Sequence, residues 1–268
     1  MELTEILRCP KTGNKLRFDD ANSVVVVEDS PITYPINDGI VDFCPEAKDK
    51  ISKSYDVCAS LYDTYITSSS VFMKLCNRFV WRTGDYSEFM DAMLSYLPSQ
   101  FDGVLLDVPV GTGVFTDSFY ANFPNATIIA IDYSMGMLKK AKDRFEQQGI
   151  DNICLVRADV ANLPLVDSAA DIVLSMNGLH AFPDKQRAIA EMRRSLRPGG
   201  SLVASSYTKG DSRLGDWVIK HCYARIGFFS PPFFTIDDIA SHFEGFTIRK
   251  QEHVKYGVYF EAVRGHNK

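Results

Sequence analysis

No uninterrupted apolar run in these 268 residues approaches the ~18 that a membrane-spanning helix needs. That absence predicts a chain without a membrane span. Cys-x-x-Cys pairs are missing as well, and the six cysteines (Cys9, Cys44, Cys58, Cys76, Cys154 and Cys222) are scattered. Neither a disulfide framework nor a standard zinc knuckle is therefore signalled, and the cysteines read as reduced, mostly buried thiols. A surplus of base is also lacking: 29 Lys and Arg against 34 Asp and Glu leave 29 − 34 = −5. Neutralising a phosphate backbone takes excess Lys and Arg, so this balance argues against a nucleic-acid partner unless a local basic patch supplies it. The chain has no low-complexity tract and no internal repeat. Its opening Met-Glu-Leu-Thr-Glu carries acid where a secretion signal carries base, so a cytoplasmic protein is expected.

What is present is ordinary globular material. Hydrophobic residues make up 46% and charged residues 24%, enough apolar surface for one large domain plus a small appendage. The first 48 residues read as a small β module, with Val24-Val25-Val26-Val27 as a strand and Lys11-Thr12-Gly13-Asn14 and Asn37-Asp38-Gly39 as turns. A polar linker follows Pro45, and a second domain is expected over 50–268. It opens with helices, because Ile51, Tyr55, Cys58, Tyr62 and Tyr65, and then Phe89, Met90, Met93, Leu94 and Leu97, recur at helical spacing.

From Val104 the pattern alternates. Short apolar runs at 104–108, 127–131, 153–157, 172–175 and 201–206 are separated by helical stretches such as 134–148 and 184–196, the last stopped by a turn at Arg197-Pro198-Gly199-Gly200. Parallel strands with crossover helices satisfy this order most simply. The runs 247–254 and 257–263 are too close for a crossover and predict an antiparallel hairpin.

The first run ends in Asp107-Val108-Pro109-Val110-Gly111-Thr112-Gly113 with a helical segment expected directly after it, an arrangement that lets backbone approach a ligand closely. The second run ends in Asp132, where a carboxylate can accept from both hydroxyls of a ribose. A nicotinamide site would place a third glycine at 116, and the residue there is Thr116. Asp159 after the third run and Asn177-Gly178-Leu179-His180 after the fourth would converge on the same crevice.

On these residues the chain resembles the class I S-adenosylmethionine-dependent methyltransferases. Asp107 to Gly113 resembles the family's first motif, Ile131-Asp132-Tyr133-Ser134-Met135-Gly136-Met137-Leu138 its second, and Ala158-Asp159-Val160-Ala161-Asn162-Leu163-Pro164 its third. The resemblance implies a Rossmann-like α/β fold, with a seven-stranded, mostly parallel sheet closed by an antiparallel hairpin. It also implies that S-adenosylmethionine is the cofactor. Asp107, Val108, Pro109, Gly111, Thr112 and Gly113 would hold its methionine part and Asp132 its ribose. Tyr133 and Met137 would flank the adenine, Asp159 and Val160 would meet its edge, and Asn177 would line the crevice. One departure stands out, Pro109-Val110 in place of a small pair, since proline removes a donor.

Three further segments carry expectations. Leu7-Arg8-Cys9-Pro10 with Tyr34-Pro35-Ile36-Asn37-Asp38-Gly39-Ile40 resembles a small zinc-ribbon module, but Thr12 stands where a second cysteine would be. One thiolate cannot make a four-ligand site, so no metal is expected, with Val24 to Val27 and Ile36 packing in its stead. Tyr55-Asp56 through Tyr62-Asp63, with Trp81-Arg82, resembles the start of the ubiquinone and menaquinone C-methyltransferases, and Tyr62 is a candidate to cover a sulfonium. An aromatic insertion near 209–235, with Trp217, Tyr223, Phe228, Phe229, Phe233 and Phe234, is either the wall of an acceptor pocket or a lid packed on the early helices. His180 is the candidate catalytic base, weighed against a structural role. The resulting expectation is methyl transfer to a small aromatic or apolar acceptor. The alternatives are an rRNA or tRNA methyltransferase and a catalytically silent cofactor-binding protein.

Overall fold

The computed structural model describes residues 2–46, 91–225, 229–254 and 257–266. The strands are β1 (Leu16–Asp19), β2 (Val24–Val27), β3 (Thr33–Asn37), β4 (Ile40–Asp42), β5 (Val104–Asp107), β6 (Thr127–Asp132), β7 (Ile153–Arg157), β8 (Ala170–Ser175), β9 (Leu196–Tyr207), β10 (Phe246–Val254) and β11 (Gly257–Arg264); β2 and β5 to β11 form where the apolar runs predict them, and β1, β3 and β4 complete the front β module. β5 is buried at every position, as a central parallel strand covered on both faces must be. β2 alternates instead, with Val25 and Val27 inside, because only one of its faces meets the core.

The strand order is β1-β2-β3-β4-β7-β6-β5-β8-β9-β11-β10. From β5 the chain steps outward through β6 to β7, then crosses to β8 and β9 on the other side, which leaves a switch point between β5 and β8. The helices Met135–Gln147 and Lys185–Ser195 are each started by an aspartate or serine cap: Ser134 Oγ accepts from the Met137 N–H and Asp184 Oδ1 from the Arg187 N–H. β10 and β11 form the expected antiparallel hairpin.

Three features depart from the sequence expectation. The seven expected strands, β5 to β11, are present, but the sheet runs on through the four strands of the front module to eleven. β7 would otherwise present a bare edge of N–H and C=O groups; β4 pairs with it in parallel, and the Phe43 N–H donates to the Arg157 carbonyl at 2.9 Å. The front module thus extends the sheet, and one apolar cluster joins its Ile6, Leu16, Val25 and Tyr34 to Leu106, Ile129 and Val156. Secondly, 197–200 is not a turn ahead of a strand but an excursion inside β9: Ala170 pairs with Leu196 and Ile172 with Ser201, with Gly199 at φ +78°. Thirdly, the helix after Gly113 is short, Asp117–Tyr120, because Pro124 disfavours helical backbone at Phe123.

Among the early apolar positions, Met93, Leu94 and Leu97 are buried. The candidate Tyr62, its neighbours from Tyr55 to Asp63, Trp81-Arg82 and Phe228 lie outside the described residues. Within the front module Cys9 is buried with its Sγ 3.4 Å from the Tyr34 hydroxyl, and Tyr34 meets Phe43 edge-on at 4.7 Å. Among the described residues no group of three or more His, Cys, Asp or Glu is arranged to hold a metal ion, and no helix is long and apolar enough to cross a membrane.

Candidate functional site

The loops that follow β5, β6, β7 and β8 open at the same edge of a parallel sheet. The first two are stitched together: the Val110 N–H donates to the Ile131 carbonyl at 2.9 Å and the Gly111 N–H to Asp132 Oδ2 at 2.9 Å. The loop after β8 closes on the first from the other side. A Cβ at Gly178 would lie 2.3 Å from Pro109 Cδ, so only glycine lets these two loops meet.

Gly111 and Gly113 both have positive φ, +58° and +69°, and serve different ends. A Cβ at Gly111 would meet nothing within 4 Å among the described residues, so the turn is open toward them, an opening of the kind a ligand would fill. At Gly113 a Cβ would come 2.6 Å from the Phe145 ring of the helix Met135–Gln147. This glycine holds helix and loop together. Gly113→Ala, strained in backbone and overpacked against Phe145, is therefore expected to destabilise the fold by about 2 kcal/mol or more, read as a lowered thermal midpoint.

Two carboxylates lie at consecutive strand ends. Asp132 is 9% exposed, its Oδ1 accepting from the Ser134 N–H at 2.9 Å while Oδ2 holds Gly111. Asp107, 1% exposed, accepts from the Tyr120 hydroxyl at 2.7 Å. Burial pushes the Asp107 carboxyl up to about 8, and the charge of Asp132 pushes the same way. Such a carboxylate is stabilised by an incoming cation. The donor set therefore fits a ligand that carries positive charge and vicinal hydroxyls, as S-adenosylmethionine does.

The other expected residues lie on the loops and helix starts that follow β5 to β8. Tyr133 follows Asp132, with its carbonyl accepting from Arg157 Nε at 3.0 Å. Met137 and Val160 are buried, whereas Asp159 is exposed, its Oδ1 accepting from the Ala161 N–H at 2.9 Å. Asn177 sits at φ +56° with its N–H on Ser205 Oγ, and Thr112 is buried beside the Arg144 side chain, whose Nε donates to its carbonyl. Val108 is buried, its N–H on the Leu174 carbonyl.

His180 lies at the mouth of β8. Its Nδ1 accepts from the Tyr207 N–H at 3.2 Å, and its ring stacks on Phe229 at 4.3 Å. Burial, helped by Lys185, pushes the imidazole down to about 3, so it is neutral and carries its proton on Nε2. Phe229 and Phe233 meet Tyr207 edge-on at 5.6 and 5.4 Å, forming an aromatic wall with His180. Trp217, expected either in such a wall or in a lid packed on the early helices, is 57% exposed and leans on His221; Phe234 belongs to the main core.

Sequence reading passed over Tyr120, Lys185 and Arg157. Lys185 is buried and donates to the Phe182 and Ser230 carbonyls, fastening the aromatic segment to the loop after β8. A base at the first position of a helix opposes the helix dipole, which was the legible sign. An arginine closing a buried strand is a comparable sign for Arg157, whereas nothing local marks Tyr120.

Residues 105–200 match the family model of a methyltransferase domain. An uncharacterized chloroplastic methyltransferase of Arabidopsis thaliana is 28% identical over 220 residues, 76% of this chain and 62% of that protein. A ubiquinone/menaquinone biosynthesis C-methyltransferase of Stutzerimonas stutzeri is 34% identical over 112 residues, 41% of this chain and 44% of that protein. The chain thus spans less than two thirds of the length of these curated relatives. In fold it is similar to the crystal structure of the [4+2]-cyclase SpnF, at a TM-score of 0.63 and 17% identity, covering 81% of this chain and 96% of that one. Residues 105–200 thus form a methyltransferase domain, which together with the doubly wound sheet and its crevice supports S-adenosylmethionine as the cofactor.

Proposed function

We propose that this protein transfers a methyl group to a small aromatic or apolar acceptor seated against the wall of His180, Tyr207, Phe229 and Phe233. The observation that carries the reading is the pair of buried carboxylates, Asp107 and Asp132, beside the open Gly111 turn. The cofactor supplies an electrophilic methyl, so the protein's work is to align the acceptor and keep water out.

Asp132 is held in place by the Gly111 and Ser134 N–H groups and would accept from the ribose hydroxyls. Asp107 would receive the methionine ammonium, with Val108, Pro109, Thr112 and Gly113 shaping the turn around it. Tyr133 and Met137 would flank the adenine; Asp159 keeps an oxygen for its amine, with Val160 at its edge and Asn177 lining the crevice. Tyr62 is proposed as cover over the sulfonium. His180 holds the end of β9 through the Tyr207 N–H and presents the wall, a positioning role. A general base contributes about 10²–10⁴ in rate, and His180→Gln is instead expected to lower kcat by less than about tenfold; a thousandfold loss would restore the base assignment.

Titration of the purified protein with S-adenosylhomocysteine, with NADH as control, tests the cofactor. Micromolar binding of the former alone supports the reading and leads to a screen of quinone-like phenols. Binding of neither would leave an interaction protein. For the front module, residues 1–48, we propose a metal-free relic of a zinc ribbon in which Val25, Val27 and Tyr34 fill the middle. Elemental analysis is expected to find no stoichiometric zinc, and one zinc per chain would overturn this.

A further inference from the structure

Charge is scarce inside this molecule, and one buried ion pair lies on the seam between the front module and the crevice. Asp42 ends β4 and Arg157 ends β7; they are register partners, and Arg157 is in turn the register partner of Asp132 on β6. Asp42, Arg157 and Asp132 therefore form one row across three neighbouring strands, ending at the carboxylate assigned to the ribose.

The Arg157 guanidinium spends its donors on both sides of the seam. One terminal nitrogen lies 3.3 Å from Asp42 Oδ2 and donates to the Cys44 carbonyl at 3.0 Å, while Nε donates to the Tyr133 carbonyl at 3.0 Å. Its carbon stands 5.9 Å from the Tyr133 ring centre. Asp42 is itself held, since its Oδ1 accepts from the Cys44 N–H at 2.9 Å. Both side chains are almost fully buried, at 8% and 5% exposure. An isolated pair in such a place does little for stability, because desolvating two charges offsets their attraction. A planar fork that grips two backbone segments and a carboxylate at once fixes geometry, and the segment it fixes contains Tyr133, directly after Asp132.

We propose that the front module positions the cofactor loop, with Asp42 and Arg157 as positioning residues: Asp42 orients Arg157, and Arg157 holds the Tyr133 carbonyl so that Asp132 and Tyr133 stand ready for ribose and adenine. This rests on the cofactor reading above. It gives the β4–β7 junction a role that covering an edge does not require, since any strand would cover the edge.

The test compares S-adenosylhomocysteine titrations of the full chain as wild type, Asp42→Asn, Arg157→Gln, Arg157→Lys, the double variant Asp42→Asn/Arg157→Gln, and Arg8→Gln, each well below its melting midpoint. Arg8→Gln removes a different, exposed contact between module and domain, the 3.6 Å pair with Asp167. Each substitution in the Asp42–Arg157 pair is expected to weaken binding at least about fivefold. The double variant should fall short of the product of the single effects, and Arg8→Gln should bind as wild type does. Amide exchange at 133–134 in the unliganded variants should quicken. Lysine keeps the charge but cannot bridge both segments, so a loss in Arg157→Lys points to the fork. If leaving one buried charge unpaired unfolds a single variant, the double variant, with both charges removed, carries the test. Folded variants that bind within twofold of wild type overturn the coupling alone. A wild type that binds no S-adenosylhomocysteine overturns the cofactor reading and the coupling with it.

Discussion

Asp132→Ala is expected to weaken S-adenosylhomocysteine binding by about 2 kcal/mol or more, roughly thirtyfold at 25 °C. Two losses add. The ribose would lose its charged acceptor, and a hydrogen bond to a charged group is worth about 1.5–3 kcal/mol. The glycine turn would also lose its anchor, because Oδ2 holds the Gly111 N–H and Oδ1 the Ser134 N–H, the cap residue of the helix Met135–Gln147. Calorimetric titration reads the first effect and a melting curve the second. A dissociation constant equal to that of wild type would remove Asp132 from the cofactor site.

Asp107 sets a second expectation, one that pH reveals. Burial beside Asp132 raises its carboxyl to about 8, so near neutrality the unliganded protein holds a proton there. A cationic ligand favours the carboxylate, and binding must then release that proton. Affinity for S-adenosylmethionine should rise by about tenfold per pH unit up to about pH 8 and level off above it. The stability of the unliganded protein should move the other way. A carboxyl whose folded pKa lies above its unfolded value binds protons better when folded, so its contribution falls as pH rises from about 4 towards 8. Asp107→Asn should flatten the affinity profile and bind the cofactor weakly at every pH. Titrations in buffers of different ionisation enthalpy count the released proton, and a flat wild-type profile between pH 6 and 8 would sink the assignment.

Much of this was legible in the residues. The alternation of apolar runs with capped helical stretches after Val104 allowed little but a doubly wound sheet, and Asp107 and Asp132 were marked as candidates by standing at strand ends, Gly111 by the glycine turn after the first. The separate purposes of Gly111 and Gly113 were not legible, because the distinction lies in Phe145, thirty-two residues from one and thirty-four from the other. His180 read as a structural residue first and a base second, yet its contact with the Tyr207 N–H and its neutral state, which comes from burial and from Lys185, were not legible, because the fold sets them. Trp217 read by composition as part of a pocket wall or a lid, and its exposure reflects which face of the short helix Arg213–Val218 turns inward.

The sequence by itself determined the fold class, the strand order along the chain and the residues that end each strand, because periodicity, caps and glycine turns act over a few residues. Only the tertiary structure decided that the front module joins the sheet at β7, that Asp107 is buried against Tyr120, and that Arg157 links Asp42 to the Tyr133 loop. Those contacts join residues 13 to 115 positions apart. Their energies depend on desolvation and on strand register, and neither exists until the sheet has assembled.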